Sequence, residues 1–177
     1  SKSSKKINVG VLSLHVSRET KAILNSIDAL GHDSTWIRRE NVEVGIEDGE
    51  VKIKPDVDIV ANRLLLTKME QPAEGFGLAS MFSDVKPILN PPEACITAIH
   101  KFATATLLAK GGIPVPDALL ALDYNRLNRK KDRFGQTAVY KTTIGTNGGG
   151  TWRIEKGNRI NPQVGQREAF LQEFINQ

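Results

Sequence analysis

Cysteine, methionine, tryptophan and tyrosine are all scarce in this chain. It holds one Cys, two Met, two Trp and two Tyr among 177 residues. The lone Cys95 excludes an intrachain disulfide framework and a cysteine-ligated metal site. It fits a reducing, cytoplasmic compartment. Three histidines, His15, His32 and His100, stand far apart without metal-ligand spacing, and each is expected to play a structural part. No apolar run approaches the roughly 18 residues that a membrane-spanning helix needs, so no membrane partner is expected. Aromatic residues make up 6% of the chain. None interleaves with the basic stretches in the way that base-stacking surfaces require.

The formal net charge is +4, and three lysines in the first six residues, Lys2, Lys5 and Lys6, supply most of it. This tail, residues 1–7, lacks the apolar segment of a secretory signal and reads as a disordered end. A second basic cluster, Arg126, Arg129, Lys130, Lys131 and Arg133, falls in a helical stretch. It reads as a solvated face ahead of a nucleic-acid surface, so nucleic acid is disfavoured as a partner. The 40% hydrophobic and 25% charged residues are those of an ordinary soluble protein. The length suits two small domains.

Strand and helix signals alternate along the chain. Asn8 to Leu14 reads as a buried strand. Ser17 is placed to cap the next helix, with Glu19 in its first turn. Ile23, Ile27 and Leu30 recur at helical spacing, and Gly31 supplies the stop. Ser34 to Ile37 completes a strand–helix–strand unit of the doubly wound type. Asp48-Gly49 between two alternating runs predicts a hairpin. Asp58 to Asn62 reads as a strand, Ala73 to Phe82 as a helix and Val85 to Leu89 as a short strand. Asn90-Pro91-Pro92 marks the domain boundary. Helical periodicity then runs from Glu93 past Lys101 to Lys110, where Gly111-Gly112 ends it. Ala118 to Leu122 reads as a strand, Tyr124 to Phe134 as a helix and Ala138 to Lys141 as a strand. A glycine loop leads to a return strand at Thr151 to Ile154. Ala169 to Ile175 reads as a last strand, without the sheet partners that would follow it.

The most informative stretch runs from Lys141 to Thr151. It sets a lysine on a strand and then opens a loop with four glycines, Gly145, Gly148, Gly149 and Gly150. Glycine lets the backbone turn its N–H groups toward a ligand, and successive N–H groups form an anion nest. A cation beside such a nest points to phosphate. The ordinary alternative is a flexible hairpin. No Gly-Lys-Ser/Thr follows, so this is not a P-loop, and the first strand–helix turn, His15-Val16-Ser17, lacks the dinucleotide fingerprint.

Three segments occur in a fixed order: His100-Lys101-Phe102 with Leu107-Leu108-Ala109 and Gly112-Ile113-Pro114-Val115-Pro116; Lys141 to Thr151; and Leu171-Gln172-Glu173-Phe174-Ile175. The set resembles the front part of an ATP-grasp enzyme, and more closely the RimK-like alpha-L-glutamate ligases, over nearly the whole chain from about Asn8. Each motif is weak alone; the ordered set is specific. The resemblance implies an α/β protein. Residues 8–91 form a Rossmann-like pre-ATP-grasp domain, and residues 92–177 form the first ATP-grasp subdomain, truncated at the adenine hinge.

The resemblance also implies the ligand and its contacts. ATP is the expected nucleotide. Lys101 and Lys141 reach its phosphates, and Gly145, Thr146, Asn147, Gly148, Gly149 and Gly150 form the flap. Glu173 and Phe174 form the hinge that reads adenine with main-chain groups. Arg63 and Asn90 match substrate-side positions. Each also has a plain structural reading: a surface lysine for Lys101, an exposed carboxylate for Glu173, a salt-bridged strand end for Arg63, and a turn residue or helix cap for Asn90.

The expected reaction is ATP-dependent carboxylate–amine ligation through an acyl phosphate, adding glutamate to a peptide or small-molecule acceptor. The family's Mg²⁺ ligands and its phosphoryl-side arginine have no counterpart here. No catalytic or metal-binding residue is therefore assigned within the chain, Mg²⁺ is expected in a missing C-terminal part, and the fragment is expected to be inactive. A non-catalytic nucleotide-binding module and a protein-interaction module using the basic helix are the alternatives. A homo-oligomer is left open.

Overall fold

The computed structural model describes residues 5–145, 149–161 and 168–176. The chain divides into two compact units, one up to Cys95 and one from Ile96.

In the first unit, β1 (Asn8–Leu12) leads to α1 (Arg18–Ala29) and β2 (Asp33–Ile37). The Ser17 hydroxyl accepts from the Thr20 N–H at 3.1 Å and caps α1. Of the apolar residues spaced along α1, Ile23 and Ile27 are half-buried, but Leu30 is 78% exposed. Leu30 has passed the last full turn and lies outside the packed stripe. A two-stranded hairpin follows, β3 (Glu43–Glu47) and β4 (Glu50–Lys54). Asp48 at φ 51° and Gly49 at φ 80° make its turn. Positive φ at both central residues is what a tight two-residue hairpin demands.

β5 (Ile59–Asn62), α2 (Pro72–Val85) and β6 (Ile88–Leu89) complete the unit. Val85 was expected to open a strand; the helix runs on through it, and only two residues pair as β6. The sheet is parallel, in the order β2-β1-β5-β6. Its core joins Leu12, Ile37, Ile53, Val57, Val60 and Phe82. Gly10 stands mid-strand because a Cβ there would lie 2.6 Å from Cδ1 of Ile37 and 3.0 Å from Val57.

Helical structure resumes with α3 (Pro92–Ile99) and α4 (Lys101–Lys110). The single helix expected from Glu93 to Lys110 is two. His100 leaves helical geometry at ψ 103°, and its Nδ1 accepts from the Ala103 N–H at 3.0 Å. A histidine side chain thus caps the start of α4, an end that periodicity alone hides.

The second unit continues with β7 (Ala118–Leu120) and α5 (Tyr124–Lys130). The expected helix over Tyr124 to Phe134 tightens into a 3-10 turn at Lys131–Phe134. β8 (Thr137–Thr142), β9 (Thr151–Glu155) and β10 (Ala169–Glu173) follow. The sheet is antiparallel, in the order β7-β10-β8-β9. The last strand, expected to lack the sheet partners that would follow it, pairs with two earlier strands: it lies between β7 and β8, with Leu171 opposite both Leu119 and Tyr140.

Alternation along β8 divides the second sheet into two faces. Ala138 and Tyr140 join Leu127 of α5, Ile160, Ala169 and Leu171 in a core. Val139 and Lys141 point the other way, toward the face on which Phe102 of α4 meets Phe170 edge-on at 5.3 Å.

Candidate functional site

The site is assembled on that second face. Lys141 lies near the end of β8, opposite Phe170 on one side and Thr151 on the other. Lys101 is the first residue of α4, and its main-chain N–H donates to the Thr143 carbonyl at 2.7 Å. This bond and the Phe102–Phe170 contact hold the start of α4 against the end of β8. A Cβ added to Gly145 would sit 3.5 Å from Nζ of Lys101 and 2.8 Å from the Gly149 carbonyl oxygen. The Lys101 ammonium therefore stands beside the loop that follows Lys141.

Electrostatics place the two lysines together as well. Burial pushes the Lys141 ammonium below the usual lysine range, and the positive charge of Lys101 pushes it further. Two cations and the glycine backbone thus share one location. An anion would relieve their mutual repulsion.

The hairpin itself is built on Thr142. Its N–H donates to the Gly150 carbonyl at 2.8 Å, and its hydroxyl donates to Ile144 O at 3.0 Å. Gly150 sits at φ 82°, and a Cβ there would run into the Thr142 side chain. Thr146, Asn147 and Gly148, expected in the flap, lie outside the described residues.

Glu173 ends β10. Its N–H donates to the Asp117 carbonyl at 2.8 Å, and its carboxylate accepts from the Asp117 N–H at 3.2 Å. The side chain therefore braces the entry to β7. Strand pairing stops at Glu173, which leaves Phe174 and Ile175 outside the ladder. The Phe174 ring lies 4.5 Å from Cζ of Arg153. Neither Phe102 nor Arg153 was singled out from the sequence. The signal for Arg153 was the alternation of the return strand against Lys141; Phe102 carried none beyond its place next to Lys101.

Arg63 and Asn90 belong to the first unit. Arg63 follows β5, and its N–H donates to the Leu12 carbonyl at 2.8 Å. Its Nε is buried with no hydrogen-bond partner among the described residues. Nearby, the Glu19 carboxyl is held below its ordinary range, first by its own backbone N–H and the Ser17 hydroxyl, with a smaller contribution from the Arg63 charge. Asn90 adopts φ 62°. It exchanges hydrogen bonds with Asn62, whose amide donates to Asn90 O at 3.1 Å while the Asn90 amide donates to Asn62 O at 3.3 Å. Asn90 thus forms the turn that closes the first sheet. A cavity of about 600 Å³ in this unit is lined by residues including Leu14, His15, Leu64 and Lys68, and by neither Arg63 nor Asn90.

Among the described residues, no three His, Cys, Asp or Glu side chains gather to hold a metal ion, and no helix is long and apolar enough to cross a membrane.

Comparison with solved structures decides the fold. A RimK domain ATP-grasp protein from Sphaerobacter thermophilus superposes with a TM-score of 0.67 and 18% identity, covering 96% of this chain and 64% of that one. Over the aligned portion, the fold is that of ATP-grasp proteins. The ATP-grasp ligase PsnB, solved with a minimal precursor, Mg and ADP, superposes with a TM-score of 0.66 and 17% identity, over 95% of this chain and 65% of its own. By sequence, a tetrahydromethanopterin:alpha-L-glutamate ligase of Methanococcus maripaludis is 28% identical over 109 residues, 57% of this chain and 37% of that protein. No protein-family model matches. The chain thus spans less than two thirds of the length of each of these three proteins.

Proposed function

We propose that this chain is the nucleotide-binding N-terminal portion of an ATP-dependent carboxylate–amine ligase. Residues 8–91 act as its pre-ATP-grasp domain and residues 92–177 as its first ATP-grasp subdomain. The observation that carries this reading is the meeting of Lys101 and Lys141 beside Gly145. ATP brings several negative charges on its phosphates. Two ammonium groups and a nest of backbone N–H groups offset them. The main chain after Glu173, free of strand pairing, supplies the adenine contacts.

In the proposed reaction a substrate carboxylate attacks the γ-phosphate of ATP, ADP leaves as the bridging P–O bond breaks to give an acyl phosphate, and an amine then displaces inorganic phosphate to form an amide. This chain's part is positioning and charge neutralisation, which dominate phosphoryl transfer. Its described residues offer no set of carboxylates for Mg²⁺, so no step through the metal is assigned to it. The Nε of Arg63, without a hydrogen-bond partner among the described residues and at the adjoining carboxyl ends of β1 and β5, favours a contact with an anionic substrate group. Asn90 is assigned to this side only as the residue that shapes the turn. Glutamate as the added group rests on the likeness to the glutamate ligase alone. The acceptor, whether peptide or small molecule, stands at the same level.

Calorimetric titration of ATP into the wild type, Lys101→Ala and Lys141→Ala tests the reading. Loss of one charge-assisted contact is expected to weaken binding by roughly ten- to a hundredfold. Equal affinities in all three proteins would overturn it. The 177-residue chain alone is expected to form no amide. ATP-dependent amide product from the purified chain would refute that part.

A further inference from the structure

Arg153 stands opposite Val139, and Lys141 is two residues further along the same strand. Residues two apart on a strand share a face, so Arg153 and Lys141 lie on one side of the second sheet. β9 and β10 flank β8 on opposite sides. The Arg153 Cζ lies 4.5 Å from the Phe174 ring, so the two side chains together span β8, whose neighbours on either side stand two strand spacings or about 10 Å apart. Its guanidinium therefore lies on the Lys141 face of the sheet, against the ring of the residue that follows Glu173. The ion pair of Arg153 with Glu155 is 3.5 Å long and exposed, and such a pair contributes little. It does not account for the reach to Phe174. The other aromatic contact of β9, Trp152 against Tyr140 at 5.5 Å, belongs to the opposite face.

A planar cation laid on an aromatic ring makes a flat surface that a nucleobase can stack on. Base stacking on arginine and aromatic groups tolerates any base because every base has a π-face. We infer that Arg153 and Phe174 together form the platform for the nucleotide's base, so that Arg153 favours ligands that carry a base over bare polyphosphate. This rests on the nucleotide reading proposed above.

The test is calorimetric titration of ATP, AMP and inorganic tripolyphosphate into the 177-residue chain, its Arg153→Ala variant and its Arg153→Lys variant. Arg153→Ala is expected to weaken ATP and AMP about tenfold and tripolyphosphate no more than about twofold, since Arg153 is exposed and its charge is screened over about 8 Å at physiological salt. Arg153→Lys keeps the charge and loses the plane, so it is expected to lose most of the same affinity for AMP. Unchanged or tighter ATP binding by Arg153→Ala would overturn the inference. So would full recovery by Arg153→Lys, or an equal loss for tripolyphosphate. If the wild type binds neither ATP nor tripolyphosphate, the nucleotide reading falls and this inference with it. If the wild type binds both and Arg153→Ala binds ATP as tightly as the wild type, this inference alone falls.

Discussion

The main-chain N–H of Lys101 donates to the carbonyl oxygen of Thr143 at 2.7 Å. A helix start is thereby tied to the residue just past the strand that bears Lys141. Neither side chain takes part in the bond, yet it brings both ammonium groups to one place. The Lys141 ammonium registers that closeness as a pKa below the lysine norm, through burial first and the Lys101 charge second.

A pH dependence follows from that depression. A bound polyanion favours charged lysine and draws the pKa of Lys141 back up. Triphosphate binding is therefore expected to take up protons in alkaline solution, and affinity to fall as pH rises through the lowered value. For folding, a lysine whose pKa is lower in the folded state disfavours that state at low pH, and the penalty lifts as pH rises toward the unfolded value. Titrations between pH 7 and 10, in buffers of different ionisation enthalpy, measure the proton uptake. Lys141→Met is expected to remove it.

Gly150 and Gly157 have nearly the same backbone, at φ 82° and 89°. Alanine at either position meets the left-handed penalty of about 1–2 kcal/mol. A Cβ at Gly157 has nothing within 4 Å, whereas at Gly150 it strikes Thr142. Gly150→Ala is expected to cost about 1–3 kcal/mol beyond Gly157→Ala. Urea unfolding of the two variants gives the difference, and equal losses would contradict the described hairpin.

The Glu173 carboxylate accepts from the Asp117 N–H. Glu173→Ala is expected to lower stability by about 0.5–1.5 kcal/mol. Chemical denaturation reads this directly, and faster amide hydrogen exchange at Asp117 would locate the loss.

Leu171 is fully buried and stands between Leu119 and Tyr140. Leu171→Ala is expected to cost about 2–5 kcal/mol, measured by the same denaturation. A loss below about 1 kcal/mol would show that the last strand does not occupy the middle of its sheet.

Local signals in the sequence were enough for much of this molecule. The Ser17 cap, the Asp48-Gly49 turn and the alternation in β8 each depend on the chemistry of a few adjacent residues. The lysines and glycines that point to phosphate could be named from type and order alone. Packing decided the rest. His100 splits the expected long helix because its ring, in place, caps α4, and helical spacing does not record a cap made by an unusual residue. The last strand enters between β7 and β8, since that position buries both of its faces, Phe170 against Phe102 and Leu171 in the core. Lys101 and Lys141 meet because that strand order and the Thr143 carbonyl bring them together. Pairing between distant segments depends on register and on buried area, quantities to which many residues contribute and which no short stretch of sequence contains.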